Sequence, residues 1–165
     1  MVINIGTDRQ LFVDEYWTEK FEDVRRILHE PEIRNVAIAG DKPWDHDSTC
    51  VGRFIFDDGK YRAWYRCDHD KEMKGTRSGS DTAYAESEDG ITWTKPNLGM
   101  FEINGSKENN IVWMGPGANM TPFKDLNPNV PDDQRYKSVA RTRNLHALAS
   151  PDGINWRMLQ EEPIS

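Results

Sequence analysis

Long apolar runs are missing from this chain. No stretch approaches the ~20 apolar residues that a membrane-spanning helix requires, so no such helix and no membrane partner are expected. Met1–Arg9 also lacks the apolar core of a secretory leader, which points to the cytoplasm, or outside it if a leader has been removed. Cysteine is scarce. Cys50 and Cys67 form no metal-type pair and read as buried or half-buried thiols, with a disulfide between them left open. Positive charge is in deficit: 21 Lys and Arg face 28 Asp and Glu, for a net charge of −7. That balance argues against a phosphate-binding surface, so nucleic acid is not an expected partner. Aliphatic material is thin as well, with 36% hydrophobic against 30% charged residues. The core must therefore lean on aromatics, and six Trp favour an aromatic-rich β protein over a helical bundle.

What is present is a repeated turn. Asp81–Gly99 reads as strand, tight turn, strand, with Tyr84 and Trp93 as anchors and Asp89-Gly90 at the tip. Ala147–Arg157 repeats it: Ser87/Ser150, Asp89/Asp152, Gly90/Gly153, Ile91/Ile154 and Trp93/Trp156 all match at an offset of 63 residues. An upstream strand recurs too, since Lys60-Tyr61-Arg62 corresponds to Arg135-Tyr136-Lys137 at an offset of 75. Units recurring at this spacing point to a modular β architecture, because one unit cannot bury its own faces.

Elsewhere the chain alternates short strands with loops. Asp8–Tyr16 reads as a strand or an opening turn, and Val24–Glu30 as a strand that ends at Pro31. Asn35–Asp47 is a loop holding Pro43-Trp44-Asp45-His46-Asp47. Cys50–Cys67 is a hairpin turning at Asp58-Gly59, and the polar Asp68–Ser80 is a mobile loop. Phe101–Asn110 is a turn-rich link before a short buried strand at Ile111–Met114. Gly115–Gln134 carries too much proline for a regular element, and Arg135–Arg141 is the next strand.

The ordered stretches LFVDEY, PWD, GKYRAWYRC, YAESEDGITWTKPNLGMFEINGSKENNIV, TPFKDLNPN, RYKSVAR and SPDGINW resemble the N-terminal part of bacterial proteins of the five-bladed β-propeller glycoside-hydrolase superfamily, which includes arabinanase-, levansucrase- and invertase-type enzymes. The similarity runs from about Leu11 to Pro163. It implies an all-β chain of antiparallel sheets, about two blades of a propeller, with blade one near 24–100 and blade two near 101–165. Such an open array leaves packing faces exposed, so the chain is expected to be a fragment prone to self-association through open sheet edges. A complete small β domain is the alternative.

Glycosidic hydrolysis uses two carboxyl groups across the scissile bond. The resemblance implies that Trp44-Asp45 corresponds to the first-blade Trp-Asp, with Asp45 as base or nucleophile and Trp44 in substrate binding. Asp125 corresponds loosely to a second-blade Arg-Asp-Pro, with Lys124 in place of the Arg, and would modulate. The acid would come from a later blade, beyond Ser165, so the fragment alone is expected to be inactive. Trp113 is a candidate sugar platform, Arg66 could orient a carboxylate, and Asn110 could bind a hydroxyl. Each has a structural competitor: Asp45 and Asn110 as turn residues, Trp113 as core, Arg66 in an ion pair. Asp45-His46-Asp47 and Asp68-His69-Asp70 read as solvated loops in preference to metal sites, because adjacent strand residues point to opposite faces. No cofactor is implied, and carbohydrate is the expected partner. The competing function is a carbohydrate-binding propeller without catalysis, or a chain with no independent function.

Overall fold

The structure, a computed structural model, describes residues 4–7, 10, 11, 13–33, 35–45, 50–68, 80–117, 119–141 and 144–164. The chain divides into two compact units, residues 1–34 and 35–165. The first holds no strand or helix among its described residues. Within it, Asp14 Oδ1 accepts the Tyr16 N–H at 2.9 Å, and Arg26 donates to the Asp14 carbonyl at 2.8 Å. Val24–Glu30, expected as a strand, is irregular chain in which every residue is exposed. Its apolar pattern suits a strand, but a strand's hydrogen bonds belong to a neighbour, and it has no ladder here.

The second unit is all-β, with no α-helix among the described residues. Eight strands form two four-stranded sheets: β1 (Cys50–Asp57), β2 (Lys60–Asp68), β3 (Ser80–Ser87) and β4 (Ile111–Trp113), then β5 (Phe123–Lys124), β6 (Tyr136–Arg141), β7 (Leu145–Ser150) and β8 (Arg157–Met158). In each sheet the strands lie in chain order and pair antiparallel. The first sheet therefore runs past residue 100, because Ile111–Trp113 supplies its fourth strand. Asp58 and Gly59 turn β1 into β2 with φ of +50° and +78°, the left-handed values that such a hairpin tip needs. A 3-10 turn, Asp132–Gln134, interrupts the proline-rich segment.

The sequence repeat is a repeat of hydrogen bonds. Tyr61 pairs with Ser87, and Tyr136 with Ser150, so the offsets of 75 and 63 describe the same register. A third relation, 68 residues, takes Phe56, opposite Tyr61, to Lys124, opposite Tyr136. After Ser87 the chain does not make the expected two-stranded hairpin; only a bridge from Glu86 to Thr94 forms. The carboxylate of Asp89 explains this, because its Oδ1 takes the N–H groups of Ile91 and Thr92 at 2.8 and 2.7 Å and competes with a ladder. Those two N–H groups, with the Ser87 hydroxyl, hold the Asp89 carboxyl down to about 2. Asp152 Oδ1 takes Ile154 and Asn155 in the same way, both at 2.8 Å. Ser87 and Ser150 each accept the N–H of the turn glycine at 2.9 Å, and Trp93 and Trp156 each donate to that glycine's carbonyl.

Strand alternation divides β2 between two cores. Trp64, with Tyr84 and Val112, meets Tyr136, Ala140, Leu148 and Trp156 of the second sheet. Ala63, Tyr65 and Cys67, with Ala83, Ala85, Ile103 and Ile111, face the other way, under Ile38, Trp44 and Phe101. Cys67 is buried and carries a reduced thiol. At the first core the Trp64 indole donates to the Gly153 carbonyl at 2.7 Å. Only glycine fits there: φ is +79°, and a Cβ would lie 2.8 Å from the Trp64 ring.

Candidate functional site

Lys42-Pro43-Trp44-Asp45 is a β-turn, closed by the Asp45 N–H on the Lys42 carbonyl at 2.9 Å, with proline at the position whose φ it presets. The turn brings Trp44 and Asp45 against the Tyr65 face of the first sheet. Asp45 Oδ1 accepts the Tyr65 hydroxyl at 3.0 Å, and Oδ2 pairs with the Lys95 ammonium. Asn110 completes the cluster. Its amide donates to the Tyr65 oxygen at 2.7 Å and to the Tyr84 carbonyl at 2.6 Å, and its Oδ1 accepts the Trp44 indole at 2.7 Å. Lys95 is also bonded to the Ala39 carbonyl and to Asp41 at 2.7 Å, and it lies over the Tyr65 ring. Burial, with the Asp45 charge adding to it, pushes the Tyr65 hydroxyl far above its usual range, so Tyr65 serves as a donor.

Three of the expected site residues, Trp44, Asp45 and Asn110, thus come together. Their arrangement is that of a satisfied buried network. The Asp45 side chain has 0% exposure, and both its oxygens are engaged. A nucleophile or base must reach its substrate, and this carboxylate reaches Lys95 and Tyr65. Tyr65 and Lys95, which complete the network, carry no local motif; only the fold brings positions 45, 65, 95 and 110 together.

The other expected site residues lie apart from it. Asp125 follows β5, where its N–H bonds the Arg135 carbonyl at 2.8 Å and its carboxylate pairs with Lys137 at 2.6 Å. Lys137 first, then the Asn127 N–H, holds the Asp125 carboxyl below its ordinary range. It shares no bonding partner with Asp45. Trp113 is 9% exposed in the core between the sheets, with its indole on the Pro116 carbonyl at 3.3 Å, so its ring is core rather than platform. Arg66 pairs opposite Thr82 on the same sheet face as Trp64 and is half-buried. His46, Asp47, His69 and Asp70 lie outside the described residues, as does most of the Asp68–Ser80 loop. Among the described residues no group of three or more His, Cys, Asp or Glu converges as a metal site.

By the 68-residue relation Asp125 is the counterpart of Asp57, which shows what this position does. Asp57 ends β1 and is bonded across the sheet boundary by the Lys124 ammonium and the Tyr136 hydroxyl. Burial works against its charge, but Lys124 and then Tyr136 hold the carboxyl below its ordinary range. A carboxyl depressed in the folded state stabilises above its unfolded value, ~3.9, and that stabilisation is lost as pH falls through the folded value. Asp57→Asn is therefore expected to cost about 1.5–3 kcal/mol near neutrality. Its deficit against the parent chain should narrow in thermal melts taken below pH ~4. A deficit that stays constant down to strongly acid pH would show that the charge contributes nothing.

One further feature was not apparent from local motifs. A cleft of about 280 Å³ is lined by Lys60, Glu86, Ser87, Glu88, Asp89, Thr92 and Thr94. Glu86 is fixed by the Tyr84 hydroxyl at 3.1 Å and the Lys60 ammonium at 3.2 Å, while Glu88 is exposed. The cleft is therefore lined by carboxylate acceptors, an ammonium paired with Glu86, and three hydroxyls, of which those of Ser87 and Thr94 already bond Asp89 and the Glu86 carbonyl. Comparison with protein-family models, with curated proteins and with solved structures finds no significant match to this chain.

Proposed function

We propose that this chain is a carbohydrate-binding β-repeat protein of the propeller type, and that its described residues bind a sugar without hydrolysing it. The observation that carries the reading is a break in the repeat. Ser87 and Asp89, which build the turn, recur as Ser150 and Asp152. Glu86, Glu88 and Thr94, which line the cleft, are replaced by Ala149, Pro151 and Arg157. The fold does not need those side chains, since the second turn forms without them.

A hydroxyl-rich ligand suits such a lining, because carboxylates accept hydroxyl protons in strong, charge-assisted bonds. The volume lies near the lower end of small-molecule sites, ~300 Å³, and suits a single sugar ring. Hydrolysis is less well supported, because Asp45 and Asp125 are held in separate ion pairs. Titration with arabinose, fructose and their short oligomers, followed by amide NMR shifts, tests the proposal. Binding should move the amides of residues 86–94, and Glu88→Ala should weaken it roughly tenfold, the loss of one charge-assisted bond. Shifts confined to other residues, or affinity unchanged in Glu88→Ala, would defeat it. Turnover of an aryl glycoside that Asp45→Asn abolishes would restore the hydrolase reading.

A further inference from the structure

The interface between the two sheets has two different sides. The first sheet contributes the face bearing Ile55, Arg62, Trp64 and Tyr84; the second contributes the face bearing Tyr136, Leu148 and Trp156. Arg62 donates to the Asp152 carbonyl at 2.9 Å and Trp64 to that of Gly153 at 2.7 Å, so a donor face docks on an acceptor turn. Because the sheets are repeats, each also carries the side that the other uses. The second sheet's outward face has Phe123, Lys137, Val139 and Ala147 in the positions of Ile55, Arg62, Trp64 and Tyr84.

The first sheet's other face is the counterpart of the buried Tyr136 face, and it lacks the same cover. Tyr61 is 37% exposed where Tyr136 is 3%. Ile91 is exposed where Ile154 is packed against the core, and Trp93 is half-buried where Trp156 is buried. Phe54 and Phe56 extend the patch, with exposures of 48% and 62%, Phe54 in edge contact with Trp93 and Phe56 tilted against Tyr61. The inner part of this face, at Tyr65, is already occupied by Trp44. A contiguous exposed aromatic surface of this kind marks an interaction site.

We propose that this aromatic patch binds the outward face of the second sheet of another copy of this chain, head to tail, reproducing the contact seen between the two sheets. The faces are complementary in charge as well as in kind. The outward face carries Lys137, Arg141 and Arg157; Lys137 and Arg157 are already paired with Asp125 and Asp133, so Arg141 supplies its net positive charge, while the turn beside the patch carries Glu88 and Asp89. Lys137, at the position of Arg62, turns from Asp125 to the Asp89 carbonyl, the counterpart of the Asp152 carbonyl that Arg62 bonds. Val139 in place of Trp64 keeps an apolar contact and gives up the indole bond to Gly90. A contact between unlike faces propagates, so association does not stop at a symmetric dimer.

Two charge substitutions test this, each at an exposed position that leaves the core intact. Sedimentation of the purified 165-residue chain, without sugar, should show mass growing with concentration beyond twice 19.1 kDa. Phe56→Glu and Phe123→Glu should each sediment as monomers. An equimolar mixture of the two should give a 1:1 dimer and nothing larger, because each variant keeps one intact side. A parent chain that is monomeric at every concentration would overturn the proposal. So would association that survives in either variant, which would place it at open sheet edges, or a mixture that stays monomeric.

Discussion

Trp64→Ala is expected to lower stability by about 3–5 kcal/mol, the range for removing a large buried aromatic. For a chain of this size that corresponds to a fall in melting temperature of roughly 10 °C or more. Trp64 has 0% exposure and lies 5.7 Å from Tyr84, 6.4 Å from Tyr136 and 6.5 Å from Trp156, centroid to centroid. Among the described residues it is the one ring in contact with the aromatics of both sheets, so its loss strikes their junction rather than either sheet. Trp64→Phe separates packing from hydrogen bonding. The Gly153 carbonyl still accepts the Trp156 indole at 2.9 Å, so it is not left unsatisfied, and the cost should be smaller than for alanine. Urea melts followed by Trp fluorescence and by far-UV circular dichroism read both effects. A loss below about 1 kcal/mol for Trp64→Ala would mean that the sheets are not coupled through this residue.

The second large effect is expected at Asp45. Asp45→Ala removes the main partner of a Lys95 side chain that is only 8% exposed and the acceptor of a buried Tyr65 hydroxyl. Breaking a buried ion pair from one side costs about 3–5 kcal/mol, chiefly because the charge left behind is uncompensated. Asp41, on the same ammonium, relieves part of that and places the expectation at the lower end. Hydrogen exchange should quicken in residues 38–45, which Asp45 ties to the sheet. Asp45→Asn keeps an acceptor for Tyr65 and should fall between alanine and the parent chain. An Asp45→Ala variant with unchanged stability and exchange would remove the structural role assigned here and leave a chemical one as the reason for the residue.

The two outcomes bear on function together. If Asp45 and Asn110 hold a loop to a sheet, the residues to examine for ligand contact are those that break the repeat, Glu86, Glu88 and Thr94. The repeat itself then serves as an internal control. Substitutions at Ser87 or Asp89 should resemble those at Ser150 or Asp152 in kind, whereas Glu88 has no counterpart beyond Pro151.

How much was legible follows the reach of the forces involved. The Ser-x-Asp-Gly-Ile-x-Trp turn could be read directly because all its bonds close within a few residues: Asp89 to Thr92, Ser87 to Gly90, Trp93 to Gly90. The hairpin at Asp58-Gly59 was legible for the same reason. Val24–Glu30 was misread because alternation describes one strand, while a strand exists only as part of a ladder. The return strand after Asp89 was misread because an aspartate carboxylate outcompeted the ladder for its N–H groups. Asp125, singled out by resemblance to a catalytic motif, proves to be the counterpart of Asp57, a relation visible only once both were paired with their strands.

Local chemistry alone therefore determined that this chain is β, that it turns at Asp-Gly pairs, and that its unit repeats. Tyr61 and Tyr136 mark the limit of that reading. They sit in the same basic-Tyr-basic motif and the same register, yet one is exposed and the other buried. Which copy is covered, and whether Asp45 faces a substrate or Lys95, depends on contacts between residues tens of positions apart. Those contacts follow from the docking of sheets and loops, whose hydrophobic driving force is non-directional and leaves no local signature in the sequence.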